Sequence, residues 1–174
     1  MYKINGDTMI ISNDVKNLDL EIVDAIVNLK IKHITFENGS MLLKFGLLQK
    51  GEDTCIETVD FSPCSFLTTL DDDAFAKCGK LKNVKFTNCK MLSIISANAF
   101  AYCDSLVSLD FSPCENLREC MHSAFTNCTN LKYVNFTNCH NLKTVLNNCF
   151  DNCKSLASLD FSPCKLTYVG DGAF

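Results

Sequence analysis

Apolar residues recur along this chain with a fixed spacing of 25 residues. One repeat, residues 81–95, reads Leu-x-x-Val-x-Phe-x-x-Cys-x-x-Leu-x-x-Ile. The phenylalanines of this column are Phe36, Phe61, Phe86, Phe111, Phe136 and Phe161. Because a strand alternates its side chains between two faces, Val84 and Phe86 are predicted to point inward and Lys85 outward. The pattern predicts one short strand per repeat, stacked in parallel into one continuous sheet.

A second column of phenylalanines follows the first by fourteen residues, usually within an Ala-Phe pair. Its members are Phe75, Phe100, Phe125, Phe150 and Phe174. Asp, Asn or Ser precedes each pair, so each return segment, such as residues 71–75, is predicted to be a short helix or a turn with a polar cap. Phe-Ser-Pro-Cys alternates with Phe-Thr-Asn-Cys from repeat to repeat, which indicates duplication of a 50-residue unit of two repeats.

The two columns together resemble the leucine-rich repeat family, whose signature is L-x-x-L-x-L-x-x-N/C-x-L. The added Ala-Phe-x-x-Cys-x-x-Leu segment at residues 99–106 resembles the BspA-like subclass of that family. The resemblance covers residues 31–174, with an incomplete last repeat that is one residue short. It implies an α/β solenoid: a right-handed superhelix with a concave parallel sheet and short helices or turns on the convex side.

Residues 1–30 match the repeat only faintly and are predicted to form an N-terminal cap. Asn5-Gly6 between two apolar runs predicts a hairpin. The helical spacing of Ile22, Ile26 and Leu29 predicts a helix after it. The sequence has no equivalent closing segment before Phe174, and solenoids need polar terminal caps. We therefore expect the natural protein to continue, or a second copy to cover the open edge in an end-to-end homodimer.

Composition narrows the choice of partners and location. The chain has 174 residues, 47% of them apolar and 21% charged, which is typical of an ordered protein with a substantial core. Its net charge of −4 gives no reason to expect nucleic acid, and no apolar run is long enough for membrane insertion. The first residues lack the apolar core of a signal peptide, which favours a cytoplasmic location. The resemblance favours the cell surface instead, if the native chain carries a signal absent here, because many family members are surface proteins.

The twelve cysteines allow two interpretations, disulfides or reduced buried thiols. Nine of them occupy two columns predicted to face inward: Cys64, Cys89, Cys114, Cys139, Cys164, Cys78, Cys103, Cys128 and Cys153. Column neighbours can come close enough to bond, but five in one column cannot all pair. Buried cysteine also behaves as a small hydrophobic residue, so we expect reduced thiols. Cys149 replaces an alanine of its column, and Cys55 lies outside the columns and is predicted to be the reactive thiol.

Motifs for metal binding or catalysis are missing from the sequence. The spacing of Cys120, His122 and Cys128 matches no common zinc pattern. The run Asp71–Asp73 lacks the alternating ligands and the glycine of a calcium loop. No phosphate-binding glycine loop, G-x-S-x-G elbow or H-E-x-x-H sequence occurs. The chain is therefore predicted to be non-enzymatic, without metal or cofactor. A regulatory module of an enzyme is a further alternative, which a catalytic domain after residue 174 would reveal.

The remaining candidate is the outward face of the strands, which solenoids use to bind partners. Most outward residues are small and hydroxylated, and one is aromatic. The predicted partner-binding residues are Asp60, Lys85, Asp110, Tyr133, Asn135 and Asp160. The other interpretation is that acid and base offset each other on adjacent strands. The sequence predicts a non-catalytic scaffold that binds a protein partner through its concave face, with a structural or surface-adhesive protein that binds host or matrix components as the alternative.

Overall fold

A computed structural model describes residues 1–47 and 54–174 as a solenoid of about six turns. Across these residues, one helix and fourteen strands run in the following order: β1 (Tyr2–Asn5), β2 (Thr8–Ile11), α1 (Leu20–Asn28), β3 (His33–Phe36), β4 (Lys44–Phe45), β5 (Thr58–Asp60), β6 (Thr69–Leu70), β7 (Asn83–Lys85), β8 (Ile94–Ile95), β9 (Ser108–Asp110), β10 (Glu119–Cys120), β11 (Tyr133–Asn135), β12 (Thr144–Val145), β13 (Ser158–Leu159) and β14 (Tyr168–Val169). Each coil contributes one strand to a first row and one to a second row.

The first row consists of β2, β3, β5, β7, β9, β11 and β13, all parallel where they pair. The predicted alternation of faces is confirmed: Val84 and Phe86 are buried and Lys85 is exposed. The ring of Phe86 stacks between Phe61 and Phe111, with centroid distances of 5.6 Å and 5.1 Å. Because the core is one coil thick, each apolar side chain packs on its counterparts in the neighbouring coils, and this explains the strict columns.

The prediction of one continuous sheet in this row is wrong. The row divides into two hydrogen-bonded sheets, β1-β2-β3-β5-β7 and β9-β11-β13. Bonds at the end of the strand follow the 50-residue alternation, since Phe61 N donates to Lys85 O and Phe111 N to Asn135 O, each at 2.9 Å. The coils are therefore paired within each two-repeat unit, and the division between β7 and β9 falls between two units.

The second row is one parallel sheet of six strands, β14-β12-β10-β8-β6-β4. The sequence did not predict it. Each strand has only two residues, and the second of them points into the core, as Leu70, Ile95 and Val145 show. Phe45 holds the same position in β4, and its ring stacks on Phe75 at 4.8 Å. The second row thus links consecutive coils without interruption where the first row divides.

The return segments within residues 54–174 are turns, and the helix that the sequence allowed as an alternative does not form there. The reason lies in their N–H groups: Asp73 N, Phe75 N and Lys77 N donate to carbonyl oxygens of the next coil at 2.9, 2.7 and 2.7 Å. These donors are thus unavailable to a helix. Two columns of each turn have positive φ, namely Asp73, Asn98, Ser123 and Asn148, and Lys77, Tyr102, Asn127 and Asn152.

The predicted hairpin and helix at the N-terminus are present. Strands β1 and β2 pair antiparallel, and β2 then pairs parallel with β3, so this segment supplies the first strand of the first row. Asp19 caps α1 by accepting a hydrogen bond from Ile22 N at 2.9 Å. Ile22 and Ile26 are buried, as predicted, together with Val23. Leu29 is not part of the buried face; it follows the helix and is 54% exposed. The division of the chain at residue 30 stays a prediction.

Both cysteine columns face the core, as predicted, and all twelve thiols are free. Only Cys55, Cys153 and Cys164 are partly exposed. The thiols also hydrogen-bond the backbone: Cys89, Cys103, Cys128, Cys139 and Cys153 donate to the carbonyl oxygens of Phe61, Phe75, Phe100, Phe111 and Phe125 at 3.3, 3.1, 2.9, 3.3 and 3.1 Å. Each of these bonds links one coil to the coil before it.

The last coil packs less tightly than the others. Leu156, Leu159 and Phe161 are partly buried, whereas their counterparts in the earlier coils are fully covered. Phe174 is 65% exposed, although its ring stacks on Phe150 at 6.0 Å. Apolar surface is therefore accessible at this end of the solenoid.

Candidate functional site

The six predicted binding residues all lie on the outward side of the first row, which we call the concave face. Asp60 and Lys85 occupy paired positions on β5 and β7, and Lys85 Nζ lies 3.5 Å from Asp60 Oδ2. This exposed ion pair is long and solvated, so its contribution to stability is about 0–1 kcal/mol. The Lys85 ammonium can therefore exchange Asp60 for another anion at small cost.

The second half of the patch is neutral and better ordered. Asn135 donates from Nδ2 to Asp110 Oδ1 at 2.9 Å. Tyr133 lies opposite Ser108 on β9 and Ser158 on β13, and its side chain is 57% exposed. Its ring is the large side chain at the middle of this small sheet, flanked on both sides by serine.

Most of the carboxylate and amide groups in the patch also close the turn that follows their strand. Asp60, Asp110, Asn135 and Asp160 each accept a hydrogen bond from the backbone N–H two residues later, at 2.9, 2.9, 3.0 and 2.8 Å. These contacts fix the side chains in place, and they give the repeated Asp and Asn residues a structural role whatever they bind.

The same contacts set the charge state of two carboxylates. Burial acts to raise the pKa of Asp60, but hydrogen bonds from Ser62 and the Lys85 ammonium outweigh it and lower the pKa. The backbone N–H and hydroxyl of Ser162 lower the pKa of Asp160. Both groups are therefore anionic at neutral pH.

Two shallow grooves flank Lys85. One, of about 180 Å³, lies where the first row divides, and its lining includes Lys85, Asp110, Ser108 and Pro113. The other, of about 200 Å³, lies toward the N-terminus between β3 and β7, and its lining includes His33 and Lys85. Lys85 thus lies between two depressions that a partner's side chains can enter.

The structure adds residues that the predicted patch did not include. His33 Nδ1 is 2.8 Å from Thr58 Oγ1, and its Nε2 is 4.0 Å from Asp7 Oδ1. Asn83 lines both grooves. Their outward positions were readable from strand alternation, but their proximity to Lys85 depends on the division of the sheet, which no residue pattern signals.

With this geometry in hand, comparison with protein-family models gives a match to a BspA type leucine-rich repeat region in six copies, over residues 49–174. The chain belongs to the BspA-type leucine-rich repeat family.

Solved structures agree with this assignment. A leucine-rich cell surface protein from Faecalibacterium prausnitzii is similar over 99% of this chain and 49% of that chain, with 15% identity and a TM-score of 0.68. A leucine-rich repeat protein from T. pallidum is similar over 98% of this chain and 82% of that chain, with 16% identity and a TM-score of 0.46. The first likeness shows the fold, and this chain spans about half the length of that protein. No curated protein matches the chain in sequence.

The BspA-type solenoid was also compared with the requirements of other kinds of site. Among residues 1–47 and 54–174, no three His, Cys, Asp or Glu side chains are grouped as metal ligands would be. Of the zinc candidates, Cys120 and Cys128 point into the core while His122 is exposed, so they do not converge. In the same described residues no helix is long and apolar enough to cross a bilayer.

Proposed function

We propose that this chain is a non-catalytic scaffold that binds a protein partner along its concave face. The observation that carries the proposal is Tyr133, whose ring is held outward on a paired strand between two serines. Tyrosine is enriched among residues that dominate binding energy, and small polar neighbours leave its ring accessible from both sides. Binding to a ring fixed on a strand also costs little conformational entropy.

Lys85 supports a second contact at the other end of the patch. Its ammonium lies between two grooves, and the exposed pair with Asp60 holds it only weakly. Asp110 lines one of these grooves and is anchored by Asn135 and by the turn. A partner that presents a carboxylate to Lys85 and an apolar group to Tyr133 fits this arrangement.

The test is affinity capture from the source cells, with the wild type beside a Tyr133→Ala/Asp110→Lys variant. Tyr102→Asn is the matched control, because Tyr102 is a similarly exposed tyrosine on the convex turns. We expect a partner that binds the wild type and the control alike and binds the double variant about tenfold or more weakly. Equal recovery by all three proteins would refute the concave site.

The cellular location follows the same experiment. The cytoplasmic location predicted from the sequence competes with a surface-adhesive role, which the printed description of the Faecalibacterium protein as a cell surface protein favours. Labelling intact source cells with a membrane-impermeant reagent separates the two. A labelled chain, with partners among host or matrix components, would replace the cytoplasmic scaffold with an adhesin.

The end-to-end homodimer stays a prediction of its own. The half-buried apolar residues of the last coil support it. Sedimentation equilibrium of the purified chain tests it, with Phe161→Asp as the variant that places a charge on this end. A monomeric wild type at all concentrations would exclude the dimer without affecting the concave site.

A further inference from the structure

Two cysteines depart from the columns that they occupy. Cys120 holds the inward position of β10, where β8 has Ile95 and β12 has Val145. Cys149 holds the small position before the second phenylalanine, where the other repeats have alanine: Ala74, Ala99, Ala124 and Ala173. Each column thus contains a single cysteine, and the two cysteines lie in consecutive coils.

The fold brings these two residues together. Leu146 N donates to Cys120 O at 2.9 Å, and Cys149 N donates to Leu146 O at 3.3 Å, so both are tied to one residue of the backbone. Both side chains are 0% exposed. The two thiols hydrogen-bond to each other, which together with burial raises the pKa of Cys120.

The ladder cysteines differ in the use of their thiols. Cys103 and Cys128 are also neighbours, but their thiols donate to the carbonyl oxygens of Phe75 and Phe100 at 3.1 and 2.9 Å. A disulfide between ladder neighbours therefore removes donors to buried carbonyl groups, which is costly. A bond between Cys120 and Cys149 replaces a contact between the two thiols themselves.

We propose that Cys120 and Cys149 form an intrachain disulfide when the chain folds in an oxidising environment. The oxidant is a small disulfide such as oxidised glutathione. One cysteine thiolate displaces a glutathione thiolate and forms a mixed disulfide, and the other cysteine then displaces the second glutathione. The protein loses two electrons and two protons, and the oxidant becomes two reduced glutathione molecules. Because both sulfur atoms are fully buried after folding, exchange takes place before the coils close, and the bond is then shielded from reductant.

The bond staples two consecutive coils and closes a loop of about 30 residues, which raises the melting temperature through the unfolded state by roughly 7–14 °C. Its formation does not depend on what the concave face binds. The site is therefore a test of the compartment in which this chain folds, independent of the proposed function.

The experiment is refolding of the reduced, urea-unfolded chain in a glutathione redox buffer, followed by alkylation of the remaining thiols and tryptic mass spectrometry. The linked peptides are residues 119–132 and 144–154. They also contain Cys128 and Cys153, so fragment ions must place the bond. We expect the bond at Cys120 and Cys149, with a higher Tm for the oxidised than for the reduced protein.

Two variants use residues that the columns already contain, Cys120→Val and Cys149→Ala, so folding is preserved. Each is expected to abolish both the linked peptides and the difference in Tm. Cys153→Ser, at a half-exposed position, is the control and is expected to keep both. Twelve alkylated cysteines after refolding, or a bond between Cys128 and Cys153, would overturn the proposal.

Discussion

Buried thiols make the stability of this fold sensitive to alkali. Burial raises the pKa of Cys64, Cys78 and Cys139 from the ordinary value of 9.0 to about 12. Between pH 9 and pH 12 the unfolded chain therefore releases thiol protons that the folded chain keeps. The stability contributed by these groups is complete below pH 9 and is lost as pH rises toward 12.

The magnitude follows from the two pKa values. Between pH 7 and pH 10 each such thiol lowers the free energy of unfolding by about 1.4 kcal/mol. The three thiols together lower it by about 4 kcal/mol, a large part of the roughly 5–15 kcal/mol that holds a typical domain folded. Burial also raises the pKa of Cys89 and Cys114, so the total loss is larger.

The assay is urea unfolding followed by circular dichroism at pH 7, 8, 9 and 10, under reducing conditions. Cys139→Ala lowers stability at pH 7, but between pH 7 and pH 10 it should lose about 1.4 kcal/mol less than the wild type. Val145→Ala removes a buried side chain with no ionisable group, and its loss with pH should equal that of the wild type. Equal losses in Cys139→Ala and the wild type would refute the role of thiol burial.

Further substitutions test other parts of the fold. Phe86→Ala removes a ring stacked on both sides and should cost about 3–5 kcal/mol in urea unfolding, whereas Phe66→Ala, at a 53% exposed position, should change stability by less than about 0.5 kcal/mol. Tyr102→Asn relieves a tyrosine at φ 60° and should raise stability by about 0.5–1 kcal/mol; a loss would show that the tyrosine ring contributes packing. Asp19→Ala removes the cap of α1 and should cost about 1 kcal/mol, while an unchanged Tm would mean that the helix end is held by other contacts. Native protein should react quickly with Ellman's reagent at no more than three thiols, with Cys55 among them, and rapid reaction of most thiols would contradict the buried columns.

The sequence was sufficient for the columns because a core one coil thick forces each apolar side chain onto its counterpart. The inward direction of Val84, the burial of the cysteines and the exposure of Tyr133 all follow from that constraint. The second row was not predictable in the same way, because two-residue strands such as β8 contain no period. Phe45 was placed outside the phenylalanine columns, yet its ring packs on Phe75, since the coil brings different columns into contact.

The candidate site was predicted as a set of outward positions but not as an arrangement. Alternation along the strands placed Lys85, Asp110 and Asn135 on one face, and the structure agrees. Which of them pair depends on the hydrogen bonds between coils. Lys85 contacts Asp60, and Asn135 contacts Asp110, because both pairs belong to the same two-repeat unit. The proximity of Cys120 to Cys149 likewise requires the winding of the chain and is absent from any linear spacing.

The pairing of coils also bears on how such a chain changes length over generations. Unequal exchange between similar stretches of a gene adds or removes whole copies of the repeated text. A change of 50 residues keeps each aspartate of a Ser-Pro coil next to the Lys85 or Asn135 position that donates to it. A change of 25 residues places two coils of the same kind side by side and separates one aspartate from its donor. Variants that differ by an even number of repeats should therefore accumulate more readily than those that differ by an odd number.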